Sequence, residues 1–102
     1  MTPERREVRA TPGFFADLDR QLPPERTASG TPSTNDFQVH ELFEIVEQFA
    51  TGFDALPELI PGRSEYRILI STSILVRAYT VIGQLSPDGA VELIQLDIEV
   101  GG

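Results

Sequence analysis

The chain has 102 residues, of which sixteen are acidic and eight are arginine, and its formal net charge is −8. This length fits one domain, so we expect a single domain over residues 1–102. Cysteine is absent, which excludes disulfides, zinc–thiolate sites and thiol catalysis and favours the reducing cytoplasm. The excess of acid disfavours non-specific nucleic-acid binding, which depends on neutralising phosphates. No apolar run is long enough for a signal peptide or a membrane span, so we expect a cytoplasmic protein.

The N-terminal residues predict a weak strand followed by a helix. Residues 4–10 (ERREVRA) carry only two apolar side chains, which gives a weak strand signal. Thr11 can serve as the N-cap of a helix that has Pro12 at its first position, and Pro23 then ends the helix. The apolar face of this helix comprises Phe15, Leu18 and Leu22, with Phe14 beside them, while Asp17 and Asp19 point to solvent.

A longer helix is predicted over about 36–51 (DFQVHELFEIVEQFAT), with Thr34 or Asn35 as its cap. Before it, residues 25–35 (ERTASGTPSTN) are rich in Gly, Pro, Ser and Thr and predict a flexible loop. The apolar stripe of the helix comprises Val39, Leu42, Val46, Phe49 and Phe53, widened by Phe43, Ile45 and Ala50.

The C-terminal part of the chain predicts three strands. From residue 66 the hydrophobic period becomes two, with many β-branched residues, over 66–71, 74–83 and 90–100. The segments STS and SPDG are the turns between them, and such short connections make neighbouring strands antiparallel. We therefore expect an α+β fold of order β-α-α-β-β-β, in which two N-terminal helices pack on one face of a small antiparallel sheet.

Three segments resemble the RelE/ParE family of bacterial toxin–antitoxin toxins. The segment ATPGFFADLDRQLPPER is similar to the opening strand and first helix of that family. ELIPGRSEYRILI is similar to its loop into the second strand, and LVRAYTVIGQLSPDGAVELIQLDIE to its closing hairpin. The resemblance covers roughly residues 7–99 and implies the α+β fold together with a functional concave sheet surface.

The resemblance also implies a function, which is that of the toxin of a type II toxin–antitoxin module. Such a toxin is neutralised by a small antitoxin protein, and RNA-cleaving members act on ribosome-bound mRNA. By this resemblance Arg67, Arg77 and Tyr79 are the catalytic candidates and Arg63 is a substrate-binding candidate. The chain lacks lysine, and its last strand ends in acids and glycines, so the basic catalytic set of an endoribonuclease is incomplete.

Strand alternation gives these arginines a geometric hypothesis. Arg67 and Arg77 can be cross-strand neighbours on the sheet face away from the helices, where two guanidinium groups would hold a phosphate. The alternative is that both form ion pairs with acids of the last strand on a solvated face. His40 is the only histidine, and without a second histidine we expect no metal site and no cofactor.

Two other functions stay open at this point. The chain can be a non-catalytic binding module of the same fold that presents an acidic surface to a basic partner. It can also be an acidic inhibitor that mimics nucleic acid. The terminal Gly101-Gly102 also occurs in sulfur carriers, but those begin with a strong hairpin, whereas here the strong strands follow the helices.

Overall fold

The computed structural model of the chain describes residues 5–100, which form an α+β fold and confirm the expected class. Its elements, in chain order, are β1 (Val8–Ala10), α1 (Pro12–Gln21), α2 (Thr34–Phe37), a π-helical turn (Gln38–Leu42), α3 (Phe43–Gly52), a 3-10 turn (Phe53–Ala55), β2 (Tyr66–Ser71), β3 (Ala78–Leu85) and β4 (Val91–Glu99). The segments α2, π turn and α3 follow one another without interruption, and we call them together the long helix.

The four strands form one mixed sheet in the order β1-β4-β3-β2. The pairs β2–β3 and β3–β4 are antiparallel, as short connections require. The expectation of a purely antiparallel sheet is wrong, because β1 pairs with β4 in parallel. These two strands are joined through both helices and two other strands, so the rule for short connections does not apply to them.

The strand predicted over residues 74–83 begins later than expected. The segment Ile74–Arg77 lies outside β3, which spans Ala78–Leu85, and Ile74 is 97% exposed. The SPDG turn between β3 and β4 forms as predicted, with Gly89 at φ +91° and its N–H donating to the Ser86 carbonyl at 2.9 Å. Residues 25–35, predicted as a flexible loop, contain a turn in which Gly30 N–H donates to Thr27 O at 3.0 Å. Their mobility stays a prediction.

Helix α1 packs against the edge of β4 as well as against the core. Thr11 caps it as predicted, since its side chain accepts from Phe14 N–H at 3.3 Å. Beyond Leu93, β4 has no strand neighbour on the β1 side among the residues that the structure describes. There the Asp17 carboxylate accepts from Leu96 N–H at 3.0 Å, and Gln21 bonds the Leu96 carbonyl and, through its own side-chain oxygen, Ile98 N–H at 2.6 Å. The prediction that Asp17 faces solvent is therefore wrong, because its carboxylate takes the place of a neighbouring strand.

The long helix begins at Thr34, two residues before the predicted start at about residue 36. Ser33 is its N-cap, in place of Thr34 or Asn35, and it forms a capping box with Asp36. The Ser33 side chain accepts from Asp36 N–H at 3.0 Å, and the Asp36 carboxylate accepts from Ser33 N–H at 3.0 Å. This reciprocal pair satisfies two backbone donors that the first turn would otherwise leave without partners.

The π turn changes which side of the long helix faces the core. Leu42, the next apolar side chain that packs against the core, lies five residues after the buried Phe37, whereas an α-helix steps by three or four. Val39 and Phe43, both predicted to face the core, are 65% and 72% exposed, because each lies two residues, or about 200° around the helix, from a fully buried side chain. The buried side chains of the helical segments are Phe14, Leu18, Leu22, Phe37, Ile45, Phe49, Ala50 and Phe53, and those of the sheet and its loops include Val76, Tyr79, Val81, Val91, Leu93 and Leu96.

A glycine in the central strand pair allows the long helix to approach the sheet. A Cβ atom at Gly83 would lie 2.7 Å from Phe49 Cδ1 and 3.1 Å from Val91 Cγ1. A β-bulge follows at this point, because the β3–β4 register shifts between Ile82 and Gly83. The Phe49 ring thus occupies the space that a side chain of β3 would take.

Candidate functional site

Arg67 lies on the helix-facing side of the sheet. Its strand partner is Gly83, against which Phe49 packs. The guanidinium donates through Nη1 to the carbonyls of Asp54 at 3.0 Å and Leu56 at 2.8 Å, and through Nε to Ser64 O at 2.9 Å. Arg67 therefore fastens the end of the helical segment to β2, and these three bonds occupy donors that a phosphate would need.

The guanidinium of Arg67 also stacks on an aromatic ring. Its carbon lies 5.4 Å from the centroid of the Phe53 ring, within cation–π distance. Phe53 itself is 3% exposed and belongs to the core. This contact adds to the carbonyl bonds in holding Arg67 against the fold.

Arg77 lies elsewhere, just before β3. Its side chain is 71% exposed and its Nε atom lies 3.8 Å from Glu99 Oε1, which is a loose ion pair. The hypothesis that Arg67 and Arg77 are cross-strand neighbours on the face away from the helices is wrong. Arg67 is opposite Gly83, and the β2–β3 pairing ends with Ser71 opposite Tyr79. The physical reason is the register of the β2–β3 hairpin, which sets Arg67 opposite a residue six positions beyond Arg77 and leaves Arg77 at the turn end of the hairpin.

Tyr79 is part of the hydrophobic core. It is 2% exposed, and its ring packs edge-on against Phe37 with centroids 5.6 Å apart and an interplanar angle of 84°. Burial raises the pKa of its hydroxyl, against a hydrogen bond with Ser71 that lowers it. A neutral phenol in this position stabilises the fold and has no path to a bound substrate.

Arg63 lies in the loop before β2, on the surface. Its Nε donates to Glu65 Oε1 at 2.5 Å, and its guanidinium lies 5.4 Å from the centroid of the Tyr66 ring. The Glu65 carboxylate raises the pKa of Arg63 through this bond. Arg63 is accessible, but the structure does not bring it together with the other three candidates into one site.

A cleft that sequence reasoning missed lies at the C-terminal end of the long helix. Its volume is about 760 Å³. Its wall contains the arginines of the segment RREVR, namely Arg5, Arg6 and Arg9, together with the backbone of residues 50–55 and the β3–β4 turn. The concentration of three of the eight arginines within five residues was the available signal.

Acidic side chains neutralise most of this arginine-lined cleft. Arg5 forms a bidentate pair with Glu47 at 2.7 and 2.8 Å. Arg9 contacts both Glu7 and Asp88 at 2.6 Å. The third arginine, Arg6, lies 3.6 Å from Asp54 and 5.6 Å from the centroid of the Phe53 ring. An anionic ligand would therefore have to displace carboxylates, and the cleft carries no net positive charge to attract it.

Within residues 5–100 no group of three or more histidine, cysteine or acidic side chains is arranged to hold a metal ion. His40 is exposed on the π turn. No helix in this part of the chain is both long and apolar enough to cross a membrane.

Comparisons with known proteins identify no relative. No family model matches the chain. Neither a curated protein nor a solved structure matches it.

Proposed function

We propose that this protein is a toxin-like component of a type II toxin–antitoxin module that acts by binding proteins. One partner is a small antitoxin that neutralises it, and the other is a housekeeping protein of the host. In this proposal Arg67, Arg77 and Tyr79 do not form a catalytic centre for mRNA cleavage.

The toxin–antitoxin part of the proposal is supported by the sequence motifs. Three motifs carry the resemblance to the RelE/ParE family. They are the Thr-Pro cap of α1, the Tyr-Arg pair that opens β2 and the Arg-Ala-Tyr segment at the start of β3. Thr11 caps α1, and Tyr66-Arg67 are the first residues of β2. The α+β class is the one that the resemblance implies.

The choice of binding over RNA cleavage is carried by one observation, the dispersal of the catalytic candidates. The guanidinium of Arg67 is bonded to three main-chain carbonyls, Tyr79 is buried, and Arg77 is solvated near Glu99. Cleavage of RNA needs cationic and proton-transferring groups that converge on one phosphate. The candidates named by the resemblance do not converge.

The sheet face away from the helices carries acidic side chains that suit a basic protein partner. Alternation along β4 places Val91, Leu93 and Leu96 in the core. The acids Glu92, Asp97 and Glu99 occupy the intervening positions, and the last two are exposed. With the net charge of −8, this surface repels RNA and attracts a basic segment of a protein. We therefore expect the antitoxin to be basic where it contacts the toxin.

The test is inducible expression in a bacterial host, with growth and the 5′ ends of mRNA followed together. We expect slowed growth without new cleavage ends. Variants Arg77→Ala and Tyr79→Phe should slow growth as much as wild type, because neither side chain takes part in chemistry. Tyr79→Phe keeps the ring against Phe37 and so tests the hydroxyl without opening the core.

Two results would contradict the proposal. New mRNA ends that disappear in both variants would support an mRNA endoribonuclease that uses Arg77 and Tyr79. A protein that leaves growth unaffected and purifies from its native locus without a second chain would favour the non-catalytic binding module over a toxin.

A further inference from the structure

Among residues 5–100, no segment pairs with the second half of the outer edge of β2. Tyr66 O accepts from Leu59 N–H and Ile68 N–H donates to Pro57 O, each at 3.0 Å, so the first half of this edge is covered by residues 57–59. Strand alternation directs the backbone groups of Ile70 the same way as those of Tyr66 and Ile68. Within residues 5–100 no backbone group bonds the carbonyl of Ile68 or the N–H and carbonyl of Ile70.

This free edge is also uncharged and apolar. Residues 68–76 (ILISTSILV) contain no charged side chain and no proline. Ile70 is 68% exposed and Ile74 is 97% exposed. Edge strands of monomeric proteins are usually protected by charges, prolines, bulges or covering segments, because an open edge pairs with other strands.

On the other side of the sheet, the part of β4 that extends beyond β1 is protected by the chain itself. Asp17 and Gln21 of α1 bond the backbone of Leu96 and Ile98 on β4. The exposed backbone of β4 is thus covered by side chains of α1, whereas the edge of β2 at Ile70 is left uncovered by the described residues. The contrast indicates that the edge at Ile70 is covered from outside in the working protein.

We infer that a second copy of this chain covers it, by antiparallel pairing of the two β2 strands about Ile70. In that register Ile70 of one copy lies opposite the second copy's Ile70, and each N–H donates to the carbonyl of the other. The free groups at this position are one donor and one acceptor, so the edge is complementary to itself under a two-fold axis. The paired strands join two four-stranded sheets into one.

The absence of charge favours a second copy over an unlike partner. Two copies each carry a net charge of −8, and their close approach is tolerable only through a surface without acids. Residues 68–76 form such a surface, whereas the acidic face of β4 suits a basic partner. Pairing at the edge also removes the exposed Ile70 side chains from water. This inference does not depend on the toxin proposal.

Sedimentation equilibrium of the purified full chain over a wide concentration range tests the inference. Wild type should show a reversible monomer–dimer equilibrium. Ile70→Pro removes an N–H that does not bond β3, a change tolerated on edge strands, and should weaken dimerisation by at least about tenfold. Phe43→Ser is the matched uncharged control, because Phe43 is about as exposed on the long helix as Ile70 is on β2, and it should leave the equilibrium unchanged.

A cysteine reporter decides the geometry even if the proline variant fails to fold. The chain has no cysteine, so Ile70→Cys introduces a single thiol. Directly opposed residues of a hydrogen-bonded antiparallel pair have Cα atoms about 5.5 Å apart, within the range that a disulfide spans. Mild oxidation should crosslink Ile70→Cys into a dimer much faster than Phe43→Cys.

A wild-type protein that stays monomeric at the highest concentration would overturn the inference. Equal crosslinking of the two cysteine variants would also overturn it, because the dimer would then use another surface. Copurification of an unlike chain that blocks crosslinking at Ile70→Cys would assign the edge to that partner instead.

Discussion

Arg67 and Arg77 show how differently two arginines of neighbouring segments can serve a fold. Arg67 donates to the carbonyls of Asp54 and Leu56, which end the helical segment and have no helical donor. Arg77 makes a loose and exposed pair with Glu99, of the kind that contributes little to stability. The two residues therefore have different structural roles, although Arg67 lies in β2 and Arg77 directly precedes β3 of the same hairpin.

Arg67→Lys should destabilise the protein, whereas Arg77→Lys should not. Lysine carries one compact ammonium group and cannot reach the carbonyls of Asp54, Leu56 and Ser64 together. Charge-assisted hydrogen bonds are worth about 1.5–3 kcal/mol each, so we expect a loss of about 2 kcal/mol for Arg67→Lys. Arg77→Lys should change the free energy of unfolding by less than about 0.5 kcal/mol. Urea denaturation of both variants measures the difference, and equal effects would contradict this assignment.

The long helix shows what the π turn does at the scale of an element. The apolar stripe of the sequence predicts that Val39 and Phe43 face the sheet. The extra residue in the turn Gln38–Leu42 lets Phe37 reach Tyr79 while Phe49 reaches Gly83. Val39 and Phe43 lie about 200° around the helix from the buried Phe37 and Ile45, respectively, and both are therefore exposed.

Substitution of the two phenylalanines of α3 tests which side of the helix faces the core. Phe49→Ala should cost about 3–5 kcal/mol, because Phe49 is fully buried against Gly83 and Val91. Phe43→Ala should cost less than about 0.5 kcal/mol, since most of its side chain is already in water. Thermal unfolding followed by circular dichroism compares the two. A large loss for Phe43→Ala would show that Phe43 packs in the core, as the sequence pattern predicts.

At the scale of the whole molecule, acidic residues link distant segments. Asp88 in the β3–β4 turn bonds Arg9 of β1, Asp17 of α1 bonds β4, and Asp36 caps the long helix. Hydrogen bonds, chiefly with Arg9, lower the pKa of Asp88 to about 2, and the Leu96 N–H lowers that of Asp17. The same carboxylates that give the chain its negative charge therefore hold its elements together.

These lowered pKa values predict acid denaturation with a defined sign. A carboxylate whose pKa is lower in the folded protein stabilises the fold above its unfolded pKa, near about 4, and this contribution is lost as the pH falls through the folded pKa. Melting temperatures should therefore be nearly constant from about pH 7 to about pH 5 and fall between about pH 4 and about pH 2. Asp88→Asn should melt lower at neutral pH and show a smaller fall in acid. If the melting temperatures of Asp88→Asn and wild type fell equally in acid, the Arg9–Asp88 pair would not contribute to the pH dependence of stability.

Much of the secondary structure could be predicted because its signals lie within a few residues of one another. The Thr11-Pro12 start of α1 and the SPDG turn form as the sequence indicates, since capping and positive φ at Gly89 are local requirements. The α+β class follows in the same way from the change of hydrophobic period near residue 66. These features need no knowledge of what packs against them.

The orientation of side chains at the candidate site depended on contacts between segments far apart in sequence. Arg67 faces the helices because the carbonyls after residue 53 lie there, and Arg77 is separated from it because the β2–β3 register sets Arg67 opposite Gly83. The π turn and the parallel pairing of β1 with β4 likewise arise from packing across the whole chain. Local patterns determined which elements form, and tertiary packing decided which residues meet, because the free energy of burial belongs to surfaces that only the folded chain brings together.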